Sequence, residues 1–273
     1  MTVCSTSPSS LYDLAPMVNY RESKIVGAFK PMTDELTLQA VRNNAEWCDA
    51  VCRANGVPGE MFDDLWVNWH RTPTFYPNAV TLTENGSGTQ IECIRELSKS
   101  GNTADIGIKD SFCSLDLAPL GFVIWFNAEW IYRQSSLAAP DDHLGGVAWR
   151  KIESASDLMD WEAAWNINND EPVHIFKPSL LTDKNIAFFA AYHNQRIVAG
   201  GIANKTGDVV GISNIFTPKG AAQDFWSNFT RVVMEAFPGF ALVGYERDAE
   251  LEIAHNLGFQ SIGALRVWGK HIE

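Results

Sequence analysis

One succession of elements occurs twice in this chain: strand, glycine-bearing turn, helix, strand, short helix closing on Leu-Gly-Phe, strand. In the second half it runs through GDVVGISNIF, TPKGAA, QDFWSNFTRVVMEAF, ALVGYERD, AELEIAHNLGF and IGALRVWGK. In the first half it runs through NAVTL, TENGSG, a helix with Ile91, Ile94 and Leu97, then TADIGIKD, LDLAPLGF and AEWIYR. The threonines that open the turns, Thr83 and Thr217, lie 134 residues apart; Gly107 and Gly244 lie 137 apart, as do Gly121 and Gly258. Ordered agreement at nearly constant spacing predicts an internal duplication.

The second copy carries the clearer chemistry. Its first run is apolar and β-branched, as expected of a buried strand. Ala222, Phe225, Trp226, Phe229, Val232, Val233, Ala236 and Phe237 then form one helical face, which Pro238 and Gly239 end. The first amides of a helix have no intrahelical acceptor, and the aligned peptide dipoles add partial positive charge there. Small residues let a phosphate reach those donors. Gly220, Ala221 and Ala222 leave that approach open, and Lys219 adds a cation. The first copy has Gly86 and Gly88 in its turn but carries Glu84, which repels phosphate; no strand hairpin is evident before it.

This order of elements resembles the second half of the Gcn5-related N-acetyltransferase (GNAT) family. That family holds the pyrophosphate of coenzyme A on a turn of pattern Gln/Arg-x-x-Gly-x-Gly/Ala, matched here by Thr217 to Ala222 except at the leading position. The Asn-Leu-Gly-Phe at 256–259 is the other matching piece. The resemblance implies an α/β (α+β) fold, a mixed and mostly antiparallel sheet flanked by helices, in two related copies. The expected organisation is a lead-in at 1–20, a degenerate GNAT-like domain at 21–136, a linker at 137–147 and an acetyl-CoA-binding domain at 148–273. It further implies acetyl-CoA, or another acyl-CoA, as co-substrate without a metal. Ile215, Phe216, Thr217, Lys219, Gly220, Ala221 and Ala222 would hold it, and an amine would accept the acetyl group. A non-catalytic acyl-CoA-binding or protein-interaction module on the same scaffold is the alternative.

Acyl transfer to an amine needs positioning and a group to move protons, the latter contributing roughly 10²- to 10⁴-fold. The family's usual acid, a Tyr three residues before the Leu of Leu-Gly-Phe, is replaced by Ala254. Glu246 and Tyr245, at the end of the strand before that short helix, and His255, about 100° around the helix from Ala254, are the remaining titratable candidates. Ser213 and Asn214 could hydrogen-bond from the preceding strand.

Composition limits the partners. A formal net charge of −12 over 273 residues argues against a nucleic-acid or anionic-membrane partner. There is no run of membrane-span length and no basic-then-apolar leader, and five cysteines show no framework spacing. A cytoplasmic protein with reduced thiols is expected, either a monomer that is an intramolecular pseudo-dimer or a homodimer. Cys48 and Cys52, four apart beside Trp47 and Val51, read as a core-facing stripe. In the first half, SKIVGAFK reads as a strand, Thr33 as the cap of a helix to Asn55, and GEMFDDLWVNWH as a second helix. In the second half, GGVAWRKIES is a strand, Ser156 and Asp157 open a helix to Trp165, and NIAFFAAY with RIVAGGIAN form a hairpin about HNQR.

Overall fold

The computed structural model describes residues 30–101, 105–141, 144–168 and 172–271. The expected lead-in and most of the SKIVGAFK strand lie outside them. Among the described residues eleven strands form one sheet, in the order β1-β2-β3-β4-β11-β5-β10-β9-β8-β7-β6. In the first half these are β1 (Glu60–Met61), β2 (Leu65–Val67), β3 (Ala79–Thr81), β4 (Asp105–Asp110) and β5 (Val123–Arg133). The second half supplies β6 (Ala148–Lys151), β7 (Ile186–His193), β8 (Arg196–Thr206), β9 (Val209–Phe216), β10 (Ala241–Glu246) and β11 (Gln260–His271). The helices are α1 (Lys30–Ala54), α2 (Ser87–Lys99), α3 (Ala155–Trp165), α4 (Ala222–Ala236) and α5 (Asp248–Asn256). Most pairings are antiparallel; β3 with β4 and β9 with β10 are parallel.

The two halves are not side by side: each lends its last strand to the other. β5 lies between β10 and β11, and β11 lies between β4 and β5. In the β5–β11 ladder Leu265 faces Ala128, with Arg266 opposite Asn127 and Ala264 opposite Glu129. Leu265 and Ala128 are themselves 137 residues apart, so the centre of this ladder pairs a position with its own counterpart. The Leu-Gly-Phe corners agree bond for bond. The Phe122 amide donates to Leu117 and that of Gly121 to Ala118; the Phe259 amide donates to Ala254 and that of Gly258 to His255. Gly121 (φ 82°) and Gly258 (φ 85°) both take the left-handed conformation that closes a helix end and favours glycine.

Strand periodicity divides the core. Val209, Ala241, Val243 and Leu265 pack with Val41, Ala45 and Cys48 of α1 on one face. Val210 and Leu242 turn to the other face, against Trp226, Phe229 and Val233 of α4 and Ala254 of α5. A reciprocal amide pair pins α1 to the sheet: Asn43 Nδ2 donates to the Asn204 carbonyl (2.8 Å) and Asn204 Nδ2 to the Asn43 carbonyl (3.3 Å). A Cβ at Gly211 would overlap the Asn43 amide, so the glycine is what lets the helix sit this close.

The stretch 59–70, expected to be helical, is instead the hairpin β1–β2. Leu65, Trp66 and Val67 are all buried, and such a run favours a strand covered on both faces over a helix with one apolar stripe. The first copy therefore does place a strand before its turn, because β2 pairs antiparallel with β3. Its short helix shrinks to a 3₁₀ turn at Ala118–Leu120. Thr33 falls inside α1, which starts at Lys30, and Ser154 caps α3 by accepting from the Asp157 amide. The β6 strand and the β7–β8 hairpin stand where the sequence places them.

Because β5 separates β10 from β11, neither half has a complete sheet alone. Calorimetry is expected to give one cooperative unfolding transition for the whole chain. A fragment of residues 148–273, with unfilled edges on β10 and β11, is expected to show none. Two separable transitions would contradict this interleaving.

Candidate active site

Parallel strands β9 and β10 share three residue pairs, ending at Gly211 opposite Val243. Beyond that point they part. Ile212–Phe216 keeps β8 on one side, while β10 turns to β5, with Tyr245 opposite Trp130. Between Gly200 opposite Phe216 and Ile202 opposite Ser213 the register shifts, so that two residues of β9 stand against one of β8, and Asn214 takes φ 52° there. This is a β-bulge, which bends a strand away from its neighbour. Phe216 is held against Trp161 (ring centroids 5.3 Å apart) and Tyr245 stands edge-on to Trp130 (5.6 Å), so both strand ends are tied to opposite flanks.

The opening is a cleft of about 280 Å³, floored by Ile212, Ser213, Asn214, Ile215, Tyr245 and Glu246 and walled by Asn44, Trp47 and Cys48 of α1, Phe75, Tyr76 and Lys109. A second, more apolar cavity of about 480 Å³ adjoins it and shares Phe75, Tyr76, Lys109 and Tyr245. Phe75 covers the junction from an exposed loop with a left-handed backbone (φ 73°), a strained conformation for an aromatic residue.

Past the bulge the chain turns through Thr217–Ala221 into α4. Lys219 and Gly220 are exposed, and a side chain at Gly220 (φ 80°) would meet nothing within 4 Å. Ala221 caps α4 without a side-chain bond. The Ala221 amide donates to Pro218 and that of Phe225 to Ala221, while those of Ala222, Gln223 and Asp224 make no bond among the described residues. The corner is open and supplies free donors to an anion.

The first copy's corner is shut. Thr89 Oγ1 donates to the Asp64 carboxylate (2.6 Å), and a Cβ on Gly86 would lie 3.0 Å from it. A protein carboxylate thus stands at the start of α2. Its strands are shut too: β3 pairs β4 as far as Val80 opposite Lys109, and the Ser111 amide then donates to Thr81 Oγ1 (2.8 Å).

Glu246 lies in the cleft with its carboxyl pushed from the usual 4.5 up to about 8. Burial is the main cause, Glu250 adds repulsion, and Arg247 opposes both. Tyr245 lies beside it under the Lys109 ammonium, 4.7 Å from the ring centroid. The Ser213 and Tyr76 hydroxyl oxygens are buried and make no hydrogen bond of normal geometry. His255 is exposed on α5, bonded through Nε2 to Ser261 Oγ (3.0 Å), and lines neither cavity. Ala254 is fully buried beneath α4. Ile215 lines the cleft floor, with Phe216 next to it on β9; Thr217, Lys219, Gly220, Ala221 and Ala222 form the corner. Sequence reasoning missed Lys109, Tyr76 and Phe75. The repeat spacing could have found Lys109, which stands 137 residues before Glu246 at the equivalent strand position.

A mixed sheet whose parallel pair opens beside the free start of a helix defines the Gcn5-related N-acetyltransferase fold, and the chain has that fold. It resembles a GCN5-related N-acetyltransferase from Kribbella flavida with a TM-score of 0.60 at 14% identity, over 85% of this chain and 95% of that one. It resembles one from Sphaerobacter thermophilus with a TM-score of 0.53 at 10% identity, over 86% and 93%. A putative acetyltransferase of the GNAT family from Novosphingobium aromaticivorans gives 0.52 at 12% identity, over 85% and 99%. No protein-family model and no curated protein matches the sequence.

Glu246 also sets a pH dependence. Between pH 4.5 and about 8 the folded chain holds a proton that the unfolded chain releases. Its stabilising contribution is therefore complete below pH 4.5 and is lost as pH rises through 8. Denaturant midpoints measured from pH 4 to pH 9 are expected to fall over that window and to fall less in Glu246→Gln; equal slopes would refute the assignment.

Proposed function

We propose that the chain is an N-acyltransferase that moves an acetyl group from acetyl-CoA to an amine. The observation that carries this reading is the open β9–β10 pair ending at the unbonded amides of α4. A diphosphate would sit on the amides of Ala222 and its successors, with Lys219 adding positive charge at the corner. The pantetheine arm would follow the cleft along Ile215 and Phe216. Coenzyme A supplies an activated thioester; the chain supplies orientation and proton handling. Glu246, with a carboxyl pushed up to about 8, is a strong enough base to take the amine's proton once ionised. Tyr245 is the phenol beside it that can return one to the sulfur, since the Ala254 position has no acid and no space for one.

In this reading the chain is a tandem duplication at 21–136 and 148–273, joined at 137–147. Only the second copy binds coenzyme A, because Asp64 fills the corresponding place in the first. The pseudo-twofold in the β5–β11 ladder would let a monomer stand as its own dimer. The four described cysteines are all free thiols, which suits a reducing compartment such as the cytoplasm.

Calorimetry with acetyl-CoA tests the reading, and absence of binding at millimolar ligand removes it. Gly220→Asp puts a carboxylate into open space at a left-handed backbone position that strains Asp less than most residues. It is expected to weaken acetyl-CoA binding by about tenfold or more, from charge repulsion across the corner, with a modest fall in melting temperature from the backbone strain. Glu246→Gln is expected to bind acetyl-CoA normally and to lose roughly 10²- to 10⁴-fold in kcat/KM. Binding without thioester consumption on any amine would leave a non-catalytic coenzyme A-binding module.

A further inference from the structure

The cavity beside the cleft has a chemistry of its own. Its walls include Trp125, Phe126, Phe75, Tyr76 and Val267, and its size suits a small molecule. Lys109 is the one charged side chain common to both cavities. It is 7% exposed. Its Nζ donates to Asn44 Oδ1 (2.8 Å) and touches Cys48 Sγ (3.8 Å). Burial disfavours its charge while Cys48 and Tyr245 favour it, the net direction being above the ordinary lysine value; burial also pushes the Cys48 thiol up, so Cys48 is no counter-ion for the ammonium. Among the described residues no carboxylate forms an ion pair with it. A buried ammonium without a counter-ion is costly, and the cavities are where a counter-ion can come from. Tyr76 lines the same junction, and its buried hydroxyl makes no hydrogen bond of normal geometry.

We propose that the acceptor is a free amino acid with a large apolar side chain, an inference that rests on the acyltransferase reading. Its carboxylate pairs with Lys109 and accepts from the Tyr76 hydroxyl. Its side chain lies among Trp125, Phe126 and Phe75, and its amine turns into the cleft toward Glu246. A simple amine would leave Lys109 unpaired. A phosphate would call for a second buried cation, and Arg71, the other cation lining the large cavity, is exposed; Asp105 there is taken up by His271 (2.7 Å). The amine nitrogen forms a bond to the acyl carbon as the carbon–sulfur bond breaks. One amine proton goes to the Glu246 carboxylate, and the sulfur leaves as the coenzyme A thiol after receiving a proton. The product is an N-acyl amino acid.

The test compares L-phenylalanine, L-phenylalaninamide and phenethylamine as acceptors by thiol release from acetyl-CoA. Calorimetry with N-acetyl-L-phenylalanine and with acetyl-CoA accompanies it on the wild type, Lys109→Met and Lys109→Arg. Phenylalanine is expected to exceed the other two by about 10- to 100-fold in kcat/KM, the range of a charged hydrogen bond. Lys109→Met should abolish that preference by raising the KM of phenylalanine alone, and Lys109→Arg should restore part of it. Equal use of the three acceptors, or a preference that survives in Lys109→Met, overturns the proposal. If Lys109→Met does not fold, the wild-type preference and Lys109→Arg decide. Acetyl-CoA binding without Lys109-dependent binding of N-acetylphenylalanine sinks this inference alone. The reverse result sinks the transferase reading and keeps the carboxylate anchor.

Discussion

Everything at the candidate site depends on β9 and β10 ceasing to pair after Gly211 and Val243. Unpaired strand backbone is costly to bury, so the opening has to be held from outside. The bulge at Asn214 bends β9 away, and the Phe216–Trp161 contact anchors its end. On the other side β10 is saturated by β5 through Glu246, opposite Glu129. The last paired residue, Gly211, is where α1 comes closest to the sheet, with Asn43 in the space a side chain would need. Helix, ladder end and cleft are therefore fixed at one point, and the cleft is a rigid feature of the packing.

The first half shows a similar succession of elements without that opening. At the offset of 137, the β3–β4 pairing reaches Lys109, the equivalent of Glu246, whereas the β9–β10 pairing stops at Val243, the equivalent of Ile106. Asp64 then occupies the start of α2 with a negative charge the protein itself supplies. A helix terminus already neutralised by a carboxylate has little left for a phosphate. This half contributes β5, without which β10 and β11 would each have an open edge.

Much of this was legible in the sequence because it lives in local patterns. The turn at Thr217–Ala222, the helical face of α4 and the Leu-Gly-Phe corners are set by residues within one or two turns of each other, and they fell where their spacing puts them. The stretch 59–70 did not, because Trp66 takes its environment from Asp49 on α1 and from β3, partners that periodicity cannot register. The strand exchange was hidden for the same reason: the β5 pattern says buried strand and nothing about which half pairs with it. Glu246 could be found as a strand-end acid. Its raised pKa comes from burial under elements far away in the chain, and Lys109 looked like an ordinary strand lysine until folding placed it against Cys48, Asn44 and Tyr245.

The equivalence of Lys109 and Glu246 links the repeat to the chemistry. A pseudo-twofold sheet brings the same strand position from both copies toward the seam where β5 and β11 cross. In this chain that position carries a cation in one copy and an acid in the other, and both line one cleft. A true homodimer must place identical side chains at equivalent positions. Within a single chain the two halves can differ, so that, in the proposed reading, one half offers a proton acceptor and the other a charge anchor. In the proposed reading the first half, whose own corner is shut by Asp64, still has a part at the site: β4 brings Lys109 to its wall.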